Sequence, residues 1–164
     1  MAVKAGWNGR FFEDFVIGDV YKHPLGRTIT ATDNAWFTML TLNTAHPHYD
    51  AHYAAHTEFG KPLVNSCFTI ALVTGQSVTD VSQNVFANLG WDEVRLPNPV
   101  FEGDTIYAES EVLELRDNGL SLEAKMAPLC ANPQIGTRTP VGMVTAASFV
   151  ALSRWAQGGK PPAI

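Results

Sequence analysis

Residues 43–69 read NTAHPHYDAHYAAHTEFGKPLVNSCFT, a polar, histidine-rich segment that gives way to an apolar one. At that change, Asn65 or Ser66 can cap a helix, since either side chain accepts from the unpaired backbone N–H groups of a first turn. The helix is predicted to run from Cys67 to about Val78. Because it is apolar nearly all round, it is predicted to be buried, and the rest of the fold must cover it.

The pattern predicts one strand and one helix upstream of this segment, and a short helix within it. Val20–Ala31 is rich in β-branched residues, which is typical of a strand. Thr32-Asp33 favours a helix start, and this helix should end near Asn43. After a predicted loop, a short helix is expected over Ala51–His56.

Downstream, four segments rich in Val, Leu, Phe and Thr are predicted as strands: Val85–Leu96, Thr105–Leu115, Leu120–Ala127 and Val141–Leu152. The turn residues Asp117-Asn118-Gly119 predict a hairpin. Helices followed by antiparallel strands indicate the α+β class. The simplest arrangement that covers both apolar surfaces is an antiparallel sheet wrapped around one long central helix.

The composition bounds the class of protein. The 164 residues are about the length of one domain, so residues 1–164 are predicted to form a single domain with a flexible or interface tail at 155–164. Charged residues are only 16% of the chain, which predicts that another subunit covers part of the surface. The net charge of −5 argues against binding to nucleic acid or anionic membrane, since both depend on clustered Lys and Arg. Two cysteines and no long apolar run predict a cytoplasmic protein.

Four of the five histidines, His46, His48, His52 and His56, fall within eleven residues. A metal site is one interpretation, because H-x-H and i, i+4 spacings occur among zinc ligands. No Glu lies between His52 and His56, however, and an exposed or partly buried helix explains this pair more simply. We therefore expect no metal. His48 differs from the other three in the residues that flank it.

The residues that flank His48 resemble the signature of a known protein family. The segment at 43–69 resembles the signature of MaoC-like, R-specific enoyl-CoA hydratases, approximately G-D-x-N-P-x-H, then D-x-x-Y-A, then F-G-x-P-x-x-H-G. Residues 95–106, RLPNPVFEGDTI, are similar to a second motif of that family, P-V-F-x-G-D-T-L. The resemblance implies a hot-dog fold, a homodimer or higher homo-oligomer, and an acyl thioester of coenzyme A as substrate.

The resemblance also implies a role for three residues. It puts Asn43 at the family's catalytic Asp, His48 at its catalytic His, and Ser66 at a Gly whose backbone N–H faces the thioester oxygen. The implied reaction is the reversible hydration of a 2-enoyl-CoA, which needs a base, an acid and donors for an oxyanion. His48 would be both base and acid, because histidine normally titrates near neutral pH. Asn cannot act as a base, so Asn43 is expected to orient the water.

A narrower resemblance concerns the substrate. Asn43, the L-V-N-S of residues 63–66 and the N-L-G-W-D-E-V of residues 88–94 look like the subgroup of mesaconyl-CoA and itaconyl-CoA hydratases. A second carboxylate on the substrate would need a cation, for which the candidates are Arg27, Lys61 and Arg95. The residues expected to bind the substrate or its coenzyme A are Val64, Asn65, Lys61 and Arg95. No cofactor is expected beyond the coenzyme A that the substrate carries.

Two alternatives stay open at this point. One is a hot-dog protein with altered chemistry, such as a thioesterase or a biosynthetic dehydratase with a different acid. The other is a non-catalytic subunit that binds acyl-CoA beside an active partner chain. Residues 128–140, with three prolines, depart from the family pattern and leave the acyl chain open.

Overall fold

The computed structural model of the chain describes residues 2–84, 88, 91, 94–96, 98–117 and 122–127. Helices and antiparallel strands both occur there, as the α+β class requires. In chain order the elements are a 3-10 helix (Phe12–Asp14), β1 (Val20–Lys22), β2 (Arg27–Thr28), α1 (Ala31–Leu40), a 3-10 helix (His46–His48), α2 (Ala51–Ala55), α3 (Ser66–Ser77), a π-helical stretch (Val78–Ser82), β3 (Thr105–Ile106), β4 (Glu109–Asp117) and β5 (Leu122–Ala127).

The described residues cluster into two compact units. The first unit contains those up to His23, from Ser77 to Arg95, and from Glu109 to Ala127. The second unit contains Pro24–Gln76 and the described residues from Leu96 to Ala108.

A two-stranded sheet belongs to the second unit, where β2 pairs antiparallel with β3. Ile29, which follows β2, and Ile106, the last residue of β3, are 1% and 0% exposed and contribute to the core by apolar burial. Gly26 precedes β2 at a point where a Cβ would overlap the ring of Tyr107, so a larger residue here would displace that ring.

The segment before α3 is fixed against the chain that precedes β3. Leu63 forms an antiparallel bridge with Phe101, and the backbone N–H of Val64 donates to the carbonyl of Val100 at 2.8 Å. These contacts hold the residues that lead into α3.

Helix α1 begins with a capping box. Thr30 is the N-cap: its Oγ1 accepts from the N–H of Asp33 at 3.2 Å, while Oδ2 of Asp33 accepts from the N–H of Thr30 at 2.8 Å. The predicted start at Thr32-Asp33 is therefore late, because Asp33 is the third helical residue and not the cap. The backbone N–H of Thr30 is the largest cause that lowers the pKa of the Asp33 carboxyl, followed by the Thr30 hydroxyl. After the helix ends at Leu40, Leu42 adopts a left-handed φ of 54°.

Helix α3 begins at Ser66, within one residue of its predicted start, and Oδ1 of Asn65 caps it by accepting from the N–H of Cys67. Its buried positions lie on one face, where Thr69 and Val73 are 2% and 3% exposed. The opposite positions Cys67, Ala71 and Gly75 are exposed, so in the single chain the predicted burial is confirmed for one face of the helix only. The side chains on that face are small, and the apolar count of the sequence overstated the area that needs burial.

The first unit contains a three-stranded antiparallel sheet in the order β1-β4-β5. In β4, Val112 is 0% exposed and its N–H donates to the carbonyl of Asp19 at 3.0 Å. Strands β4 and β5 pair with Asp117 opposite Leu122. The predicted hairpin is thereby confirmed, while residues 118–121 of its turn lie outside the described chain.

Two of the predicted strands are wrong as single elements. The Val20–Ala31 segment contains β1 and β2, which pair with different strands, and Ala31 belongs to α1. Pro24 lies between β1 and β2 and cannot donate to a strand ladder. The Thr105–Leu115 segment is likewise divided between β3 and β4, which belong to different sheets.

Other sequence predictions fall mainly or wholly outside the described chain. Within Val85–Leu96, the described positions 88, 91 and 94–96 are not in a strand. The predicted strand Val141–Leu152, the proline-containing segment at 128–140 and the tail at 155–164 are not described. Among the helices that the structure describes, none is both long and apolar enough to cross a membrane.

Candidate functional site

His48 closes the 3-10 helix that follows α1. Pro47 lies in the first turn of this helix and the N–H of His48 donates to the carbonyl of Ala45 at 3.2 Å. The ring is half-buried, and its Nδ1 lies 2.8 Å from the carbonyl oxygen of Leu63. A carbonyl can only accept, so Nδ1 must carry the hydrogen of this bond.

The bond to Leu63 determines which tautomer of His48 is present. With the proton on Nδ1, the neutral ring has its lone pair on Nε2. None of the described residues hydrogen-bonds to Nε2. The ring is therefore arranged to accept a proton at Nε2 while the opposite nitrogen holds its orientation.

Asn43 lies in the loop between α1 and the same 3-10 helix. Its Oδ1 accepts from the N–H of Ala45 at 2.9 Å, and its own N–H donates to the carbonyl of Thr38 at 3.0 Å. The side chain is thus an Asx turn that shapes the loop before His48. Within the described chain, the Nδ2 donors of Asn43 have no partner, so they stay available to a bound molecule.

Ser66 is the first residue of α3, and its side chain is exposed. Oδ1 of Asn65 accepts from the N–H of Cys67 at 3.0 Å, which satisfies one donor of the first turn. The N–H of Ser66 has no acceptor among the described residues. A free N–H at the positive end of a helix can stabilise negative charge.

Asn34, which the sequence analysis missed, connects these segments. Its Nδ2 donates to the carbonyl oxygens of His48 (2.8 Å) and Leu63 (3.1 Å), and its Oδ1 accepts from the N–H of Asn65 (2.8 Å). The residue is 4% exposed. Asn is unfavourable within a helix, because its side chain competes for backbone hydrogen bonds. Its presence inside α1 was the one sequence signal that could have indicated a role.

Thr38 adds a second link from α1 to the start of α3. It is 0% exposed, and its Oγ1 accepts from Nδ2 of Asn65 at 3.3 Å. Asn65 itself is 3% exposed. Its side chain is therefore committed to Thr38 and to the helix cap, which limits the contact it can make as a predicted substrate-binding residue.

The other predicted binding residues have different surroundings. Val64 is 3% exposed, and Lys61 is exposed with its Nζ 4.3 Å from the centre of the Phe101 ring. Nη2 of Arg27 lies 2.7 Å from Oδ1 of Asp33, so its charge is already paired. Arg95 is exposed and belongs to the first unit, and its role stays a prediction.

The remaining histidines of the cluster lie at the surface. The ring of His46 stacks on Tyr53 at 5.3 Å, while His52 and His56 make an edge contact at 4.8 Å. Nδ1 of His56 donates to the carbonyl of His52 at 2.7 Å, which is a contact within one helical turn. The described residues contain no group of three His, Cys, Asp or Glu side chains that could hold a metal ion.

Asp50 separates the 3-10 helix from α2. Its Oδ1 accepts from the N–H of Tyr53 at 2.8 Å, which caps α2. This backbone hydrogen bond is the largest cause that lowers the pKa of the Asp50 carboxyl. Asp50 thus has a structural explanation, the start of α2.

The fifth histidine, His23, lies in the first unit and has no exposed side-chain surface. Its Nδ1 is 3.0 Å from Oδ2 of Asp80, and its Nε2 is 2.9 Å from Oγ of Ser110. Nη1 of Arg10 approaches the other oxygen of Asp80 at 3.3 Å. This polar cluster was not predicted from the sequence.

Comparison with known proteins places these residues in a family. Residues 14–125 match the family model described as "MaoC like domain". Mesaconyl-CoA hydratase of Cereibacter sphaeroides is 36% identical over 118 residues, which cover 67% of this chain and 32% of that protein. Beta-methylmalyl-CoA dehydratase of Chloroflexus aurantiacus is also 36% identical over 118 residues, covering 67% of this chain and 31% of that protein.

Among solved structures, RV0216 of Mycobacterium tuberculosis, described as having a double hotdog fold, is 25% identical with a TM-score of 0.60, over 70% of this chain and 36% of that one. This chain belongs to the MaoC-like domain family and has the hot-dog fold. The fold class expected from the sequence is thereby confirmed. The chain spans about a third of the length of the curated relatives it matches.

Proposed function

We propose that this protein is a hydratase that adds water reversibly to the double bond of a 2-enoyl-CoA. The observation that carries the proposal is the ring of His48, whose Nδ1 is held by the carbonyl of Leu63 and whose Nε2 is free among the described residues. Membership of the MaoC-like family and two relatives named as a hydratase and a dehydratase support it.

His48 would move the proton in both half-steps. Nε2 takes a proton from water while the water oxygen bonds to the β-carbon, and the electrons of the double bond pass to the thioester oxygen. The protonated ring then returns its proton to the α-carbon, so one water is added and His48 is regenerated. The reaction needs no redox partner, and we propose no cofactor beyond the coenzyme A of the substrate.

Ser66 would stabilise the enolate that forms between these half-steps. Its backbone N–H lies at the start of α3, where the helix dipole favours negative charge. The side chain of Ser66 has no part in this role. A backbone donor is already in place before the reaction and costs no reorganisation.

Asn43 would hold the attacking water. A neutral amide cannot remove a proton, but its free Nδ2 donors can bind the water oxygen and keep its lone pair directed at the β-carbon. The hydrogen bond from the N–H of Ala45 to Oδ1 of Asn43 restricts this side chain to one orientation. In this arrangement, the proton chemistry falls to His48 alone.

For the acyl group, we propose a branched dicarboxylic chain such as mesaconyl-CoA or itaconyl-CoA. Two relatives at 36% identity, named mesaconyl-CoA hydratase and beta-methylmalyl-CoA dehydratase, support this choice. Lys61 is the better cation candidate in the second unit, because Arg27 is paired with Asp33.

We further propose a homodimer or larger homo-oligomer located in the cytoplasm. Trp36 and Leu40, which are 69% and 76% exposed on α1, support burial by a second subunit.

The test is to incubate the purified protein with mesaconyl-CoA, itaconyl-CoA and crotonyl-CoA while enoyl absorbance and free thiol are followed in parallel. Loss of enoyl absorbance without thiol release supports the hydratase and reveals its preferred chain. Thiol release would instead indicate a thioesterase. No change with any substrate would contradict catalysis and favour an acyl-CoA-binding subunit.

A further inference from the structure

We propose that Asn34 is a positioning residue for the candidate site, an inference that rests on the proposed hydratase function. Its single amide joins three segments of the second unit: α1, on which it lies, the 3-10 helix that carries His48, and the residues that lead into α3. It contacts neither reacting atoms nor substrate in this proposal. It acts by fixing where the base and the oxyanion donor lie relative to each other.

The orientation of the Asn34 amide follows from its partners. The carbonyls of His48 and Leu63 can only accept, so both must face Nδ2, and the N–H of Asn65 can only donate, so it must face Oδ1. All three partners are backbone atoms. The position therefore requires a side chain with two donors and one acceptor, and Asn provides this set at the right length.

The carbonyl of Leu63 is a shared hydrogen-bond acceptor that links Asn34 to His48, the proposed base. The carbonyl oxygen of Leu63 accepts from Nδ2 of Asn34 and from Nδ1 of His48. Displacement of this carbonyl would change the bond that fixes the His48 tautomer. The carbonyl of His48 is held by the same amide, so both the ring and the backbone of the base depend on Asn34.

The third hydrogen bond links Asn34 to the oxyanion donor. The N–H of Asn65 directly precedes that of Ser66 along the chain. Its hydrogen bond to Oδ1 of Asn34 fixes the plane of the Val64–Asn65 peptide, which is next to the peptide that carries the Ser66 N–H. Because Asn34 is 4% exposed, water would not readily replace the lost partners after substitution. A small shift of either group is expected to affect the rate more than binding.

Gln76 offers a matched control in the same unit. Its Nε2 donates to the carbonyls of Leu25 and Ile106, both at 2.7 Å, so it also bridges two backbone segments through one amide nitrogen. It lies ten residues beyond Ser66 on α3, about 15 Å along the helix axis. Neither of these two carbonyls belongs to the candidate site.

The experiment compares Asn34→Asp and Asn34→Ala with Gln76→Glu and Gln76→Ala in the full chain. For each variant, kcat and KM are measured with the substrate that the unmodified protein prefers, unfolding by urea gives the stability, and 15N NMR of the substrate-free protein gives the tautomer of His48. We expect kcat to fall 10- to 100-fold in both Asn34 variants, with KM changed less than about threefold. The Nδ1–H tautomer of His48 should lose population in the Asn34 variants alone.

The Gln76 variants should lose about as much stability as the Asn34 variants. Their kcat should stay within about twofold of that of the unmodified protein, since the hydrogen bonds they lose are structural. Equal losses of kcat in the two pairs, or an unchanged His48 tautomer in Asn34→Ala, would overturn the positioning role. If the unmodified protein hydrates none of the substrates, the proposed function fails. The NMR comparison then still decides whether Asn34 positions His48.

Discussion

His48 and His23 show two different environments for the same side chain. The His48 ring has one nitrogen on a backbone carbonyl and the other free among the described residues. The His23 ring has both nitrogens hydrogen-bonded, to Asp80 and Ser110, and no exposed surface. A ring with an available lone pair can exchange protons with a substrate, whereas a ring with two partners joins segments of the fold.

The two environments are also built differently. The hydrogen bond of His48 connects residues 15 apart in the chain, whereas those of His23 connect residues 57 and 87 apart. We therefore expect substitutions at His48 to change activity and those at His23 to change stability.

The largest expected effect is the loss of turnover in His48→Ala. In the proposed mechanism His48 both takes and returns the proton, so its removal should lower kcat by about 100-fold or more. The ring is half-buried and makes one hydrogen bond, so the free energy of unfolding should fall by only about 1 kcal/mol. Steady-state kinetics and urea unfolding measure the two quantities. Near-normal turnover would remove His48 from the mechanism.

His23→Ala should give the opposite result. It leaves Asp80 and buried Ser110 without their His23 partner, which should cost about 2–4 kcal/mol of unfolding free energy. The kcat per folded molecule should stay within about twofold. Lys22→Ala is a neighbouring control, since the Lys22 side chain is 77% exposed and its ion pair with Glu109 is worth little. A loss of kcat without a loss of stability in His23→Ala would give His23 a chemical role.

A smaller effect is expected at the end of α1, which leads into the loop of Asn43 and His48. Leu42 is 87% exposed with a φ of 54°, so its side chain gains little by burial and strains the backbone. Leu42→Gly should stabilise the protein by roughly 0.5–1 kcal/mol after the entropy cost of glycine. Leu40→Gly, within the helix, should destabilise by a similar amount. Destabilisation in both variants would show that the left-handed strain is negligible.

The smallest effect concerns the other end of α1 and depends on pH. Because the pKa of Asp33 is lowered in the folded state, its carboxylate stabilises the protein fully above its ordinary value of 3.8. That contribution is lost as the pH falls through the lower folded-state pKa. Asp33→Ala should cost roughly 0.5 kcal/mol at pH 7, allowing for solvent screening, and less at low pH. Unfolding at several pH values measures the difference, and a pH-independent cost would contradict an electrostatic contribution.

Sequence reasoning could propose His48 as the base because the motif that contains it is local. Asn43, His48 and Ser66 lie in one contiguous segment, and the helices around them follow from caps and spacing. The strands were harder to predict, because β1 and β2 belong to different sheets. A hydrophobic pattern does not show with which strand a segment pairs. His23 depends on partners far along the chain, so no short pattern contains its cluster.

Asn34 was missed for a related reason. It is 14 residues from His48 and 31 from Asn65, and only the folded chain shows that one amide reaches both. Thr38, also on α1, is completely buried by contacts that the helical pattern does not predict. A candidate base could therefore be proposed from the sequence, whereas the hydrogen bonds that hold it could not.

The hydrogen bonds of Asn34 have a consequence for protein engineering. Every partner is a backbone atom, so the framework does not depend on the side chains of residues 48, 63 or 65. A library at Leu63 that excludes proline would vary one side chain while the carbonyl acceptor stays in the chain. Such substitutions should therefore leave the hydrogen bonds from Asn34 and His48 to this carbonyl in place.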